Sequence, residues 1–317
     1  ASIVSDSWGG QEEEPIRAVF DLIFQLGASE GIGFFFSSGD FGYNSPLENP
    51  FSTHRQVDFP TSDPWVTSVG GTSLAVGRNR DYEFETGWGT LFDPLSASGG
   101  AWSPPPPGRY PEDYRYSGGG GVSTVYRQPF YQQAAVPAGL ARHLPDGSVS
   151  PTPMRVIPDV SAVADPNTGM LVGLTARQPD GRTYAFSLAR FGGTSLACPV
   201  FAGIEADAQQ AAGFQLGFAN PAIYARYRTA AFRDVTDHPL GPRHLFLVRN
   251  DYTNPATRMG PLVTVLASLG INGEGASALK AVTGYDDATG VGSPYLYVQS
   301  FTGSAGPGAR LRAGLGP

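Results

Sequence analysis

Two short segments hold residue types that can do chemistry together. The first is Phe191-Gly-Gly-Thr-Ser-Leu-Ala-Cys-Pro199, where Ser195 follows a Gly-Gly-Thr turn and opens an Ala-rich stretch predicted to be helical from 195 to 212. A hydroxyl at a helix start is exposed, and the N–H groups around it lack intrahelical acceptors and favour negative charge. Those are the needs of a nucleophile whose attack creates an oxyanion. On this segment alone, simple capping by Ser195 or Thr194 explains the residues equally well. The second segment is Phe34-Phe-Phe-Ser-Ser-Gly-Asp-Phe-Gly42, which sets Asp40 at the tip of an apolar strand between glycines. By itself Asp40 reads best as an Asx turn. An ionised carboxylate repels an oxyanion, so an aspartate there helps only when protonated, which ties the chemistry to acidic pH or a raised pKa.

These residues need a sheet whose strand ends converge. Residues 2–8 read as a strand that stops at Gly9-Gly10. Glu12–Glu14 and Pro15 mark a solvated helix start. Ile16, Val19, Phe20, Ile23, Phe24 and Leu26 then recur at helical spacing as far as Gly27. Residues 32–36 form a continuous apolar strand. Strand, helix and buried strand make a right-handed crossover of a parallel sheet, and a site is expected at the strands' carboxyl ends. Further strands are predicted over 65–74 and 159–163, and a hairpin over 170–188 turns at Pro179-Asp180-Gly181. From about Asp93 to Gly121 the chain reads as loop, and a second helix starts at Asn220-Pro221.

Composition narrows the function classes. The 317 residues carry 21 basic and 28 acidic side chains, a formal charge of -7, with lysine only at Lys280. That balance argues against nucleic acid as a partner, which needs a concentrated basic face. The single cysteine, Cys198, excludes an intrachain disulfide and reads as a buried thiol. The longest apolar run, 261–271, is too short to cross a bilayer and contains Thr and Ser. His54, His143, His238 and His244 are scattered, and none has the setting of a Ser-His-Asp triad.

Taken together, the Asp40 and Ser195 segments resemble the subtilisin-like superfold and, within it, the sedolisin (serine-carboxyl peptidase) family, which has aspartate where subtilisins have asparagine. Val4-Ser-Asp-Ser-Trp-Gly9, Phe59-Pro-Thr-Ser-Asp-Pro-Trp-Val-Thr-Ser-Val-Gly-Gly-Thr72, Gly118–Ser123 with Arg127–Gln132, and Arg155–Ala162 followed by Asp165-Pro166 resemble further sedolisin blocks, in the family's order. The resemblance implies an α/β fold: a subtilisin-like parallel sheet flanked by helices, N-terminally truncated, with a C-terminal calcium-binding region. It implies a partial catalytic domain over 1–303 and a flexible tail over 304–317. Ser195 and Asp40 would be catalytic, while Ser7, Trp8 and Gly9 would pair with substrate backbone. A divergent subtilisin and a catalytically silent peptide-binding homologue are the competing readings.

The resemblance also implies one Ca2+ site. Phe232-Arg-Asp-Val-Thr236 and Val282–Pro294 resemble its two halves, with carboxylates from Asp234 and Asp286 and carbonyls from Val235, Val282 and Gly284. The intervening stretch, 236–281, is longer than the family usually has. Secretion, an acid working pH, a peptide or unfolded-protein substrate and an upstream propeptide follow from the same resemblance. In sedolisins a Glu/Asp pair on a helix before the Ser-x-Ser-Trp-Gly strand activates the serine. No substitute pair stands here, so the expectation is that these residues alone do not hydrolyse peptides.

Overall fold

The protein is described by a computed structural model covering residues 1–12, 15–43, 55–77, 79–95, 117–166, 168–237, 239, 246–250, 262–268 and 279–302. The strand β1 (Ile3–Asp6) leads through the two-residue β2 (Gly10–Gln11) to the helix α1 (Arg17–Ser29) and back to β3 (Gly33–Ser37), the expected crossover. β4 (Asp58–Phe59) pairs with β2, and β5 (Thr67–Val76), β6 (Tyr82–Gly87) and β7 (Thr90–Leu95) follow. β8 (Gly121–Arg127) pairs with β9 (Met154–Ile157), and β10 (Val160–Val163) returns to the main sheet. That sheet runs β1-β3-β5-β10 in parallel, with β6 added antiparallel to β5. A hairpin of β11 (Met170–Arg177) and β12 (Tyr184–Phe191) precedes the helix α2 (Thr194–Ala212). The short helix α3 (Asn220–Tyr224) and strand β13 (Phe232–Arg233) come next, then β14 (Phe246–Asn250), β15 (Leu262–Ser268) and β16 (Ser293–Pro294). β15 lies between β14 and β7 in a separate antiparallel sheet, and this is where the longest apolar run goes. Among the described residues no helix is long and apolar enough to cross a membrane.

The three phenylalanines of β3 show how the layers are built. Side chains alternate along a strand. Phe34 and Phe36 pack against Phe24 of α1, with ring centroids at 5.1 and 5.4 Å, whereas Phe35 meets Phe201 of α2 at 5.9 Å. The core beneath α2 includes Val69, Val160, Ala197, Cys198 and Tyr297. Cys198 is buried as expected.

Two expectations are corrected. The helical stripe of α1 turns only Phe20 and Phe24 to the sheet cluster; Ile16, Val19, Ile23 and Leu26 are exposed. Glu12 is not at a solvated helix start: it is 3% exposed, and its carboxylate accepts from Ser123 Oγ, Thr124 N and Thr124 Oγ1. A buried carboxylate must find such donors, and these come from a segment more than a hundred residues away. His143 is described; His54, His238 and His244, Glu13, Glu14 and the tail 304–317 lie outside the described residues.

Candidate active site

The carboxyl ends of β1, β3 and β10 meet the N-terminus of α2. Gly193 donates its N–H to Ala164 O at 2.6 Å, just beyond β10, which fixes where the helix begins. β3 runs out at Ser37, and the turn that follows lays Asp40 against that helix start. Thr194 N–H donates to Asp40 Oδ1 at 2.7 Å, and Thr194 Oγ1 lies 2.8 Å from the same oxygen. The Thr194 hydroxyl also sits 3.0 Å from Gly39 O and accepts from Gly39 N at 3.1 Å. The two segments singled out in the sequence, 155 residues apart, are therefore held together through the residue immediately before Ser195.

Glycines make the approach possible at two points. Gly193 has φ +89°, and a Cβ there would stand 2.7 Å from Asp40 Oδ2. Gly119 donates to Gly39 O at 2.7 Å, and a Cβ on it would collide with Ser38 O. Ser117 N–H adds a bond to Asp40 O at 2.9 Å. The Gly118–Gly121 run thus supports the Asp40 turn by close backbone contact.

Ser195 is exposed. The first-turn N–H groups around it are spent: Gly193 on Ala164 O, Thr194 on Asp40, Leu196 and Ala197 on Gly193 O. The Ser195 N–H is the remaining first-turn donor among the described residues. No carboxylate or imidazole among the described residues hydrogen-bonds the Ser195 hydroxyl.

Desolvation raises the Asp40 pKa, against the opposing effect of the Thr194 donors. Asp58, which the sequence reading passed over, is pushed up to about 7 by burial first and then by the charges of Asp40 and Glu12. Its carboxylate lies beside Gly9, where a Cβ would come within 3.2 Å of Oδ2. The signal for Asp58 was its place directly before the Phe59-Pro60 block. Trp8 is 40% exposed, with its ring against Phe20 and Phe36 at 5.4 and 6.0 Å, so Ser7, Trp8 and Gly9 border the same end of the sheet.

The candidate metal residues also come together. β13 pairs with β16, which closes the long intervening stretch. Gly284 N–H donates to both Asp234 oxygens, at 3.1 and 2.9 Å. Val282 N–H donates to Asp286 Oδ2 at 2.8 Å, while Oδ1 accepts from Ala288 N and Thr289 N. Asp234 and Asp286 are thus tied to the Val282–Gly284 backbone, with N–H groups rather than carbonyl oxygens facing the carboxylates. No group of three or more acidic, His or Cys side chains fit for a metal occurs among the described residues.

Residues 1–246 match the sequence model of the subtilase family. The chain belongs to the subtilase family. Within it, the relatives of this subtilase are of the sedolisin type. It is 30% identical to kumamolisin from Bacillus sp. (strain MN-32) over 297 residues, which is 92% of this chain and 41% of that protein. It is 31% identical to sedolisin from Pseudomonas sp. (strain 101) over 209 residues, 65% of this chain and 28% of the relative. Its fold matches Pseudomonas sedolisin complexed with two molecules of pseudo-iodotyrostatin, with a TM-score of 0.62 and 26% identity, over 99% of this subtilase and 66% of that chain. The chain thus spans less than half the length of the curated relatives it matches.

Proposed function

We propose that this subtilase is a serine-type endopeptidase that works at acid pH, with Ser195 as nucleophile and protonated Asp40 as the side-chain donor to the oxyanion. The observation that carries this reading is the seating of the Asp40 carboxyl on Thr194, one residue before an exposed serine at a helix start. Ser195 Oγ gives its proton to a general base outside the described residues and attacks the scissile carbonyl carbon. The carbonyl oxygen becomes an oxyanion beside the Ser195 N–H and Asp40, and collapse expels the amine, which leaves with that proton, to give an acyl-enzyme. Water then releases the acid. An extended peptide would lie along Ser7-Trp8-Gly9 by backbone pairing. Above the Asp40 pKa the donor becomes a second negative charge, so activity falls as pH rises.

The test is hydrolysis of denatured protein at pH 3–5 by the polypeptide that includes whatever precedes Ala1 in its gene. Ser195→Ala should abolish turnover, and Asp40→Ala should lower kcat by roughly 10²–10³-fold. Turnover indifferent to Ser195→Ala refutes the reading.

A second reading follows from the absence of a base on the Ser195 hydroxyl among the described residues: these 317 residues by themselves bind peptides without cleaving them. Peptide binding with no covalent labelling of Ser195 supports it, and robust turnover by the isolated chain, lost in Ser195→Ala, overturns it. A calcium ion held by Asp234, Asp286 and the carbonyls of Val235, Val282 and Gly284 would tie the β13–β16 region together. Chelation should then lower Tm, and Asp286→Asn should remove that sensitivity. Secretion into acidic surroundings and an inhibitory propeptide complete the proposal, as the sequence resemblance to sedolisins implies.

A further inference from the structure

We propose that Thr194 is a positioning residue that decides which oxygen of Asp40 carries the acid proton, so that the proton always sits on Oδ2. The inference rests on the peptidase reading for its purpose, and on hydrogen-bond geometry for its content. Asp40 Oδ1 receives the Thr194 N–H at 2.7 Å and lies 2.8 Å from the Thr194 hydroxyl, whose single hydrogen it shares with Gly39 O. An oxygen that accepts in this way is the carbonyl-type oxygen of a neutral carboxyl group, since a hydroxyl oxygen there would set its own hydrogen against a backbone N–H that cannot turn away. The proton is left to Oδ2, the oxygen that a Cβ on Gly193 would meet at 2.7 Å.

The Thr194 side chain is itself fixed. It is fully buried, accepts from Gly39 N–H at 3.1 Å, and has Gly39 O and Asp40 Oδ1 as acceptors for its single hydrogen. The backbone before Asp40 therefore aims the hydroxyl, the hydroxyl and the N–H aim Oδ1, and the opposite oxygen is aimed by default. A helix start has no need of such a clamp: Thr194 turns its hydroxyl away from its own helix and onto the strand end. Asp58 is the titrating neighbour, raised to about 7 by burial first and then by the charges of Asp40 and Glu12.

Two measurements on the 317-residue chain decide the matter, and neither requires turnover, so a chain that hydrolyses nothing still reports on Thr194. The first is the ¹³C carboxyl titration of Asp40, with its signal identified through Asp40→Asn. Thr194→Val keeps the shape but removes the hydroxyl donor that favours the ionised form, so the Asp40 midpoint should rise by about one pH unit. Thr194→Ser should restore it. A folded Thr194→Val chain with an unmoved midpoint overturns the proposal. The second needs no substitution: in a crystal of the unaltered chain at pH 4 and atomic resolution, the longer carboxyl C–O bond should be the one to Oδ2. A longer bond to Oδ1 overturns it equally.

Discussion

Two groups of buried carboxylates lie within the same domain and are neutralised in opposite ways. Asp159 is held by a cation: Arg155, fully buried, places NH1 at 2.9 Å from Oδ1 and NH2 at 2.7 Å from Oδ2. Ser68 N–H, Tyr224 OH and Asn220 Nδ2 fill the remaining acceptor positions. The acids at the strand ends, Asp40, Asp58 and Glu12, have no cation among these partners; they meet hydroxyls, N–H groups and each other. A buried carboxylate pairs with a positive charge or keeps its proton. The first solution makes an ion-paired joint between β5 and β10. The second makes a site whose charge state follows the solvent.

Removing Arg155 should break the contrast most severely. Arg155→Met leaves Asp159 buried without its counter-charge, and stability should fall by about 3–5 kcal/mol, read from chemical denaturation at pH 7.

The next prediction sharpens the other side. The folded-state pKa of Asp58, about 7, stands above its ordinary value of 3.8, so the fold binds a proton that the unfolded chain gives up. Its contribution is complete below about pH 4 and is lost as pH rises through 7. Asp58→Asn should therefore change stability little at pH 4 but raise it by about 2 kcal/mol at pH 8, flattening the pH–Tm curve. A curve of unchanged slope would refute the assignment.

The smallest effect is expected at Glu205, an intermediate case. It is fully buried in α2, accepts from Tyr297 OH at 2.8 Å, and burial lifts it to about 7 with Arg226 pulling the other way. Its Oε1 has no hydrogen-bond partner among the described residues. Glu205→Gln should be neutral within about 1 kcal/mol at pH 5 and mildly stabilising at pH 8, measured by thermal melts.

The parts of this architecture that lie close in the chain were readable from it. The Phe34–Phe36 run, the glycine turn before Ser195, the hairpin over 170–191 and the order of the motif blocks each leave a local signature, and the pairing of Asp40 with Ser195's helix followed from their resemblance as a set. What lay beyond reach depends on partners far along the chain. Glu12 looked solvated because Ser123 and Thr124 are invisible from its neighbours, and nothing near Arg155 and Asp159 in the chain shows that Asn220 and Tyr224 close on them. The helical stripe of α1 was visible too, but periodicity does not say which apolar residues find a neighbour; only Phe20 and Phe24 do. The Thr194 clamp was hidden for a related reason: a threonine at a helix start reads as a cap for its own helix.

The alternation of Phe34, Phe35 and Phe36 between two helices has one more outcome. A slip of β3 by one position would swap every ring to the wrong layer, leaving a void on one side and a clash on the other. The strand is thus keyed lengthwise, like a bolt with teeth on both flanks, and whatever residue stands three places past its end arrives at the same depth. Exchanging that residue alters the chemistry of the tip while leaving the reach of the strand untouched.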